Sequence, residues 1–364
     1  ASALVVSYSL SLTVLLLPIG RLADRLGRRS VLVAGLVAFG ALSVACSAAT
    51  TTAALLAART AQGAAAAAIS ATSLSLVTLA VRPERRAFAL ALWTAITAAG
   101  ATLGPPLAGI VVSEWSWRWF FAINGPLSLV FAVGALATVR ESRASERVPP
   151  DRLGAVTLIV GLTLVIGAIT VASAPGWPTA LPAAVGVVGA AVLWWFVRLE
   201  QRARVPLVDL SVLRDRTYAA TSAVAFGANW AYAALILYTP IYLQSSLGES
   251  AAFAGAMLLA FTVLYALWSP VVGRIEAPQR SRVLVLVGLA LIAIGLVLLA
   301  LPDEETIWLV ALALGISAIG QGLAFNTTGT VAMEAMGSDR AGVAAGLLST
   351  IRQGGATVGL SLIH

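Results

Sequence analysis

The sequence contains no lysine, one cysteine and one histidine in 364 residues, and only 11% of its residues carry charge. Cys46 alone cannot close an internal disulfide, and with His364 as the single imidazole there is no cysteine or histidine cluster to hold a metal. No metal, cofactor or histidine-based catalysis is expected. A soluble domain carries roughly 25% charged residues to keep its surface wet. Here 59% of residues are apolar and mean hydropathy is +0.93, so the chain needs a solvent that accepts apolar surface. A lipid bilayer is that solvent. The formal charge of +7 therefore does not call for a nucleic-acid partner.

A helix needs about 20 apolar residues to cross a hydrocarbon core about 30 Å thick. Twelve stretches qualify: 2–19, 31–48, 53–80, 87–112, 119–138, 154–173, 179–197, 218–243, 252–271, 283–301, 306–331 and 341–363. They are too long for transmembrane strands and lack a period of two, so the expected fold is all-helical. The 23 basic residues are all arginine, and 20 of them fall in alternate loops on one side if the loop after span 1 is cytoplasmic. Arg118 is on the other side, while Arg59 and Arg352 lie inside spans. Positive charge stays on the cytoplasmic face, so this segregation sets the orientation of a multi-pass cell-membrane protein and checks the span count together. Trp115, Trp117, Trp119, Trp177 and Trp308 mark the outer boundary, and Trp194 and Trp195 the inner one.

The chain also repeats itself. GRLADRLGRR (20–29) matches GRIEAPQRSR (273–282), Gln62-Gly63 of span 3 matches Gln321-Gly322 of span 11, and GATLG (100–104) matches GATVG (355–359). The matched spans have equal parity, so the repeats are parallel, related by an axis along the membrane normal. The expected layout is an N-terminal bundle (1–138), an inserted two-helix segment with cytoplasmic loops (139–217) and a C-terminal bundle (218–364). Five spans, two and five imply one further helix at each end of the intact protein.

In the loop 20–29, Gly20 and Gly27 are placed to make tight turns. Asp24 sits among Arg21, Arg25, Arg28 and Arg29, and can pair with them or with an exposed helix N-terminus. The plainer reading is a positive-inside loop with one capping acid. Arg59, in LLAARTAQG, and Arg352, in STIRQGG, each place a guanidinium within hydrocarbon at about 2.5–3.5 kcal/mol on insertion scales, and so call for a polar interior and a partner. For Arg59 the alternative is snorkelling to the outer interface. Gln62 and Gly63 lie beside it. No acid falls mid-span; Glu334 comes closest, a few residues past span 11. Span 4 carries Gly100, Gly104, Pro105, Pro106, Ala108 and Gly109, a small-residue seam with a double proline that should kink the helix. Such seams also occur in static bundles. Tyr8, Asn229, Trp230, Gln321 and Asn326 are candidates to line a substrate cavity, though residues of this kind serve helix packing as often.

These segments together resemble the major facilitator superfamily, in particular its fourteen-span drug:proton antiporter branch. GRLADRLGRR is similar to the family's loop 2–3 motif, LLAARTAQGAAAA to the motif with a functional arginine in its fourth span, and GATLGPPLAG to the antiporter motif of its fifth, with Ala108 where a second glycine is usual. WSWRWFFAINGP (115–126) and STIRQGGATVG resemble later stretches of the same branch. The resemblance implies alternating access by two six-helix bundles, with the inserted pair outside that core. It implies export of hydrophobic, often cationic, small molecules in exchange for protons. It further implies that Asp24 and its arginines latch one conformer, that Arg59 modulates the proton site, and that Gly100 to Gly109 form a hinge or leak seal. The proton-carrying acid would then lie in the absent first span.

Other readings stay open at this point. One is a proton-linked uptake symporter of the same fold, against which the Gly-Pro-Pro motif of span 4 argues. A second is a non-transporting sensor or truncated relic. A third is a membrane-embedded enzyme, which would need catalytic carboxylates at an interface. Asp303, Glu304 and Glu305 are the one acidic cluster, with no base beside them.

Overall fold

The computed structural model describes residues 2–82, 89, 93, 96–97, 100, 104, 107–143, 151–172, 180–203, 206–275, 279–301 and 307–361, with backbone alone at 2, 78, 337–343 and 345. Pro105, Pro106, Trp177, the 303–305 acidic cluster and His364 lie outside the described residues. Helix is the regular structure throughout, with no strand among the described residues. Nine segments among them are long and apolar enough to cross a membrane. The chain divides into two compact units, one comprising Ala1–Trp93, Arg118–Leu210 and Leu360–His364, the other Thr94–Trp117 and Ser211–Gly359.

The first unit contains α1 (Ser2–Leu26), α2 (Arg28–Ala48), α3 (Thr52–Ala80), α4 (Trp117–Ala122), α5 (Asn124–Thr138), α6 (Arg152–Ala172) and α7 (Ala180–Arg202). Its centre is α3, 29 residues or about 43 Å long, which packs along both α1 and α2. The α3 face that makes these contacts is small and polar: Gln62, Ala65, Ala66, Ala67, Ala68 and Thr72 are all buried. Lipid tails are as apolar as leucine, so helices gain little by hiding aliphatic side chains from them. Close backbone approach supplies the packing energy instead. A Cβ on Gly35 of α2 would stand 2.9 Å from the Ala68 Cβ and 3.2 Å from the Ala65 carbonyl oxygen. One on Gly63 would meet the Tyr8 carbonyl of α1. The inserted pair α6 and α7 packs by the same device, with Gly189 2.9 Å from the Val165 amide by that measure.

Span 5 is interrupted at Ile123, between α4 and α5. Pro126 stands four residues after Ala122 and has no N–H to offer its carbonyl, which loosens the helix there. Trp115, Trp119, Trp194, Trp195 and Trp308 are all more than half exposed, as interfacial anchors facing lipid should be.

The second unit contains α8 (Arg216–Ser245), α9 (Ala251–Ile275), α10 (Ser281–Leu298) and α11 (Trp308–Ser361), together with a helical stretch at 107–114. Its apolar core joins Leu235 and Leu243 of α8, Leu258 and Phe261 of α9 and Val310 and Leu314 of α11. Gly288 of α10 and Gly320 of α11 face one another at backbone contact: a Cβ on Gly320 would lie 2.6 Å from the Gly288 carbonyl oxygen and 2.8 Å from the Ile292 amide. Gly355 and Gly359 make the same close approach to Phe226 and Trp230 of α8.

The last two spans lie in one helical element. Spans 11 and 12 were separated at 332–340, yet the backbone is helical without interruption over 54 residues. The element nonetheless folds back on itself. Arg352 bonds the carbonyl of Phe325 at 2.6 Å, and 27 residues of straight helix would hold them about 40 Å apart. Two antiparallel spans are therefore present, the first over Trp308–Met336, as the sequence expects.

Replacing Gly320 with Leu should overpack the α10–α11 crossing and cost about 1–3 kcal/mol. Gly134→Leu, at an exposed site of α5 where a Cβ meets nothing within 4 Å, should cost under about 0.5 kcal/mol. Thermal unfolding in detergent, followed by tryptophan fluorescence, compares them. Equal losses would contradict the backbone-contact account.

Candidate functional site

The loop 20–29 departs from its expected shape at one end. Gly20 makes no turn: α1 continues through it to Leu26, because Arg21, Leu22, Ala23 and Leu26 are good helix formers and nothing interrupts them. A Cβ on Gly20 would only touch Ala71 at an ordinary 3.7 Å. The whole turn is made at Gly27, whose φ of 118° is strained for any other residue. A Cβ there would also strike the Glu141 carboxyl at 2.6 Å.

Asp24 takes the local partner of the two available to it, pairing with Arg28 one turn on at 2.8 Å. The N-terminus of α2 is capped from elsewhere. Glu141, just past α5, accepts the Arg29 N–H at 3.0 Å, the Ser30 N–H at 3.2 Å and the Ser30 hydroxyl. The Arg28 N–H and guanidinium bond Ser142, and Arg29 reaches the Val139 carbonyl at 3.3 Å. Partial burial pushes the Glu141 carboxyl up, but the Ser30 hydroxyl and the amides of Ser142, Arg29 and Ser30 outweigh it and hold the group below its ordinary value. Arg25 is exposed. Arg21 reaches the segment after α7, donating to Pro206 O at 2.8 Å and Leu207 O at 3.3 Å. That segment is held from its other side by Glu200, buried at the end of α7, which accepts the Val208 N–H at 2.9 Å.

Arg59 turns to partners on its own and neighbouring helices. Its guanidinium donates to Gln62 Oε1 at 2.7 Å and lies 4.3 Å from the Tyr8 ring centre and 5.5 Å from that of Phe121. Gln62, 1% exposed, passes the interaction on by donating to the buried Ser43 hydroxyl of α2. Three helices thus converge on one cation, a fourth is linked through Gln62, and Gly63 makes the α1–α3 approach that brings Tyr8 within reach. Among the described residues no carboxylate lies within ion-pair distance of Arg59.

The second unit has its own internal cation. Arg352 donates to Phe325 O at 2.6 Å and Thr328 Oγ1 at 3.0 Å, with its guanidinium 3.8 Å from the Phe325 ring centre. Asn326 lies on the same stretch and donates to Ser269 Oγ at 2.9 Å and Gly322 O at 3.0 Å. Gln321 is buried on α11. Asn229 is buried on α8 with its amide turned back to Ala225 O, while Trp230 is 44% exposed and its backbone rests on Gly359. Of the span 4 glycines, a Cβ on Gly100 or Gly104 would meet nothing within 4 Å, whereas one on Gly109 would stand 2.8 Å from the Ala251 carbonyl oxygen of α9.

Glu141, Ser142, Glu200, Ser43 and Phe121 all escaped sequence reasoning. For Glu141 the available signal is its placement in VRESR directly after an apolar span, a short polar exit like that after span 1. Glu200 follows span 7 as closely, and nothing local shows that it is buried.

Comparison with known proteins adds an independent line. Residues 1–360 match the family described as the Major Facilitator Superfamily. The chain is 34% identical over 363 residues to the multidrug resistance protein Stp of Mycobacterium tuberculosis, covering 99% of this chain and 67% of that protein. It is 32% identical over 371 residues to a probable actinorhodin transporter of Streptomyces coelicolor, covering 98% and 64%. It is 32% identical over 364 residues to the methylenomycin A resistance protein of the same organism, covering 97% and 75%. The chain thus spans about two thirds to three quarters of these relatives' length. Among solved structures, the human organic anion transporter MFSD10 (TETRAN) has a similar fold, with a TM-score of 0.65 and 20% identity over 99% of this chain and 76% of that one.

Because the folded state holds Glu141 ionised, its stabilising contribution is present above the ordinary carboxylate range and is lost as pH falls through the lowered folded-state value. Glu141→Gln should cost about 1 kcal/mol at neutral pH, in the range of a lost helix cap. The wild-type and variant unfolding curves, measured in detergent from neutral to acid pH, should converge at the acid end. A constant gap across that range would contradict the capping role.

Proposed function

The chain belongs to the major facilitator superfamily and is a multi-pass membrane protein, and on that premise we propose that it exports hydrophobic small molecules of the antibiotic type in exchange for protons. The observation that carries this reading is a guanidinium placed inside the helix bundle and held by neutral partners. A charge in that position is costly in a structure that only needs to be stable, and is characteristic of a substrate or ion path. The names of the relatives point in the same direction: a multidrug resistance protein, a methylenomycin A resistance protein and a probable actinorhodin transporter.

In this reading the membrane is the cell membrane and the loop 20–30 faces the cytoplasm, a placement that the arginine segregation supports. The two halves, 1–138 and 218–364, alternate access to the substrate, with the segment 139–217 inserted between them. The Gly27 turn, the Asp24–Arg28 pair and the Arg21 grip on residues 206–207 stiffen the cytoplasmic end of the first unit, so that it moves as a body. Arg59 acts by its field. A carboxyl group brought towards a fixed guanidinium loses its proton, and one withdrawn from it regains the proton, which couples protonation to conformation. Gln62, Ser43 and Tyr8 keep that guanidinium in place throughout.

The test is efflux of a neutral lipophilic dye such as Nile red from membrane vesicles under an imposed pH gradient. Wild-type protein should move dye only with the gradient present, and Arg59→Ala should lower the rate at least tenfold, the loss of about 1.4 kcal/mol or more. Wild-type rates from Arg59→Ala, or dye movement indifferent to the gradient, would contradict the proposal.

A further inference from the structure

The bonds made by Arg352 occupy one terminal nitrogen. Nη2 donates to Phe325 O and Thr328 Oγ1, which ties the two arms of α11 together. Its Nε is buried and has no partner among the described residues, and no described carboxylate lies within 4 Å of the guanidinium. A guanidinium presents five donors in a rigid planar fork, so a staple made by Nη2 leaves the rest of the fork open to another acceptor.

A second donor lies against the same stretch of helix. The indole of Trp268, on α9, packs over Gly322: a Cβ there would stand 3.1 Å from Trp268 Cδ1 and 4.0 Å from its Nε1. That Nε1 is also buried and also lacks a partner among the described residues. Tyr265 reaches the same point at 3.9 Å, stacked on Phe261 with ring centres 6.2 Å apart, and lies near enough to Arg352 to interact with it electrostatically. Gly322 and Gly329, which bracket these contacts, are about 10 Å apart along α11. Arg352, Trp268, Tyr265 and Phe325 are each half-buried, so this wall is not sealed into the core.

The group therefore holds a positive charge and two N–H donors lacking an acceptor, set among three aromatic faces. Its complement is an acceptor bearing negative charge on a flat apolar body. We propose that Arg352 and Trp268 form an anion-recognition site, which binds the carboxylate or phenolate of a lipophilic aromatic molecule. This deepens the transport reading on which it rests and departs from the cationic class that the resemblance alone implies. The guanidinium supplies the charge and the fork that a carboxylate or phenolate needs, and the indole and the aromatic faces along the same wall supply the contact with its flat body that a small inorganic anion could not use.

The experiment uses three probes that differ only at the head: pyrenebutyrate, pyrenebutanol and pyrenebutyl-trimethylammonium. Binding to the purified full chain in nanodiscs is read by energy transfer from tryptophan to pyrene, against empty nanodiscs, and transport is read separately in vesicles. Pyrenebutyrate should bind at least tenfold tighter than the alcohol and the cation. Arg352→Gln should abolish that preference while leaving the alcohol within about twofold. Arg352→Lys should keep part of the preference, and Trp268→Phe should lower pyrenebutyrate binding several-fold. A purely structural staple would instead weaken all three probes alike. Equal binding of the three by wild-type protein, or an anion preference that survives in a well-folded Arg352→Gln protein, overturns the proposal. Retained pyrenebutyrate binding without transport of any probe would overturn the transport reading and leave the site standing.

Discussion

A charged side chain inside a lipid-spanning bundle must find its solvation within the protein, and much of the first unit follows from meeting that demand at Arg59. No water or headgroup is needed for the contacts it makes: the Gln62 amide oxygen and the faces of Tyr8 and Phe121. Each partner imposes its own condition. Gln62 can present its oxygen because its NH2 is taken up by Ser43. Tyr8 can cover the guanidinium because Gly63 lets α1 press onto α3, where a Cβ would strike the Tyr8 backbone. The alanines at 65 to 68 keep α3 thin enough for α2 to lie alongside. Polar burial and close backbone packing are thus two sides of one arrangement.

The second unit solves the same problem differently. Arg352 is satisfied in part by its own helix element, folded back so that the Phe325 carbonyl becomes an acceptor. The fold-back brings α8 close through Gly355 and Gly359 and α10 close through Gly320. Where Arg59 is enclosed by partners from three helices, Arg352 keeps a donor without an acceptor among the described residues. The two units therefore hold their internal cations on non-equivalent spans and in different states of satisfaction.

What the sequence makes legible is what depends on local composition. The spans emerge because hydropathy is summed over about 20 neighbours, and the arginine bias adds a check spread over the whole chain. Gly27 and Arg59 stand out for the same reason, as a glycine between two charged turns and a cation in an apolar run. Their partners do not stand out. Glu141 caps a helix 111 residues upstream, and Ser43, Tyr8 and Phe121 are ordinary residues until the fold brings them to Arg59. Glycine spacing alone does not rank these positions: among the described residues a Cβ on Gly109 has a close neighbour, and one on Gly100 or Gly104 has none within 4 Å. Gly20 misleads in a similar way, because glycine permits a turn without requiring one. The break placed between spans 11 and 12 is present as a reversal of direction within one helical element.

The dependence of Gln62 on Arg59 is the most direct test of this view, and a double-mutant cycle on thermal stability in detergent measures it. Gln62→Leu should be markedly destabilising when Arg59 is present, since it strips the cation of its acceptor. It should be nearly neutral, or stabilising, in an Arg59→Met background, with a coupling of about 1–3 kcal/mol. Equal effects of Gln62→Leu in both backgrounds would show that the guanidinium is solvated some other way and would contradict the account.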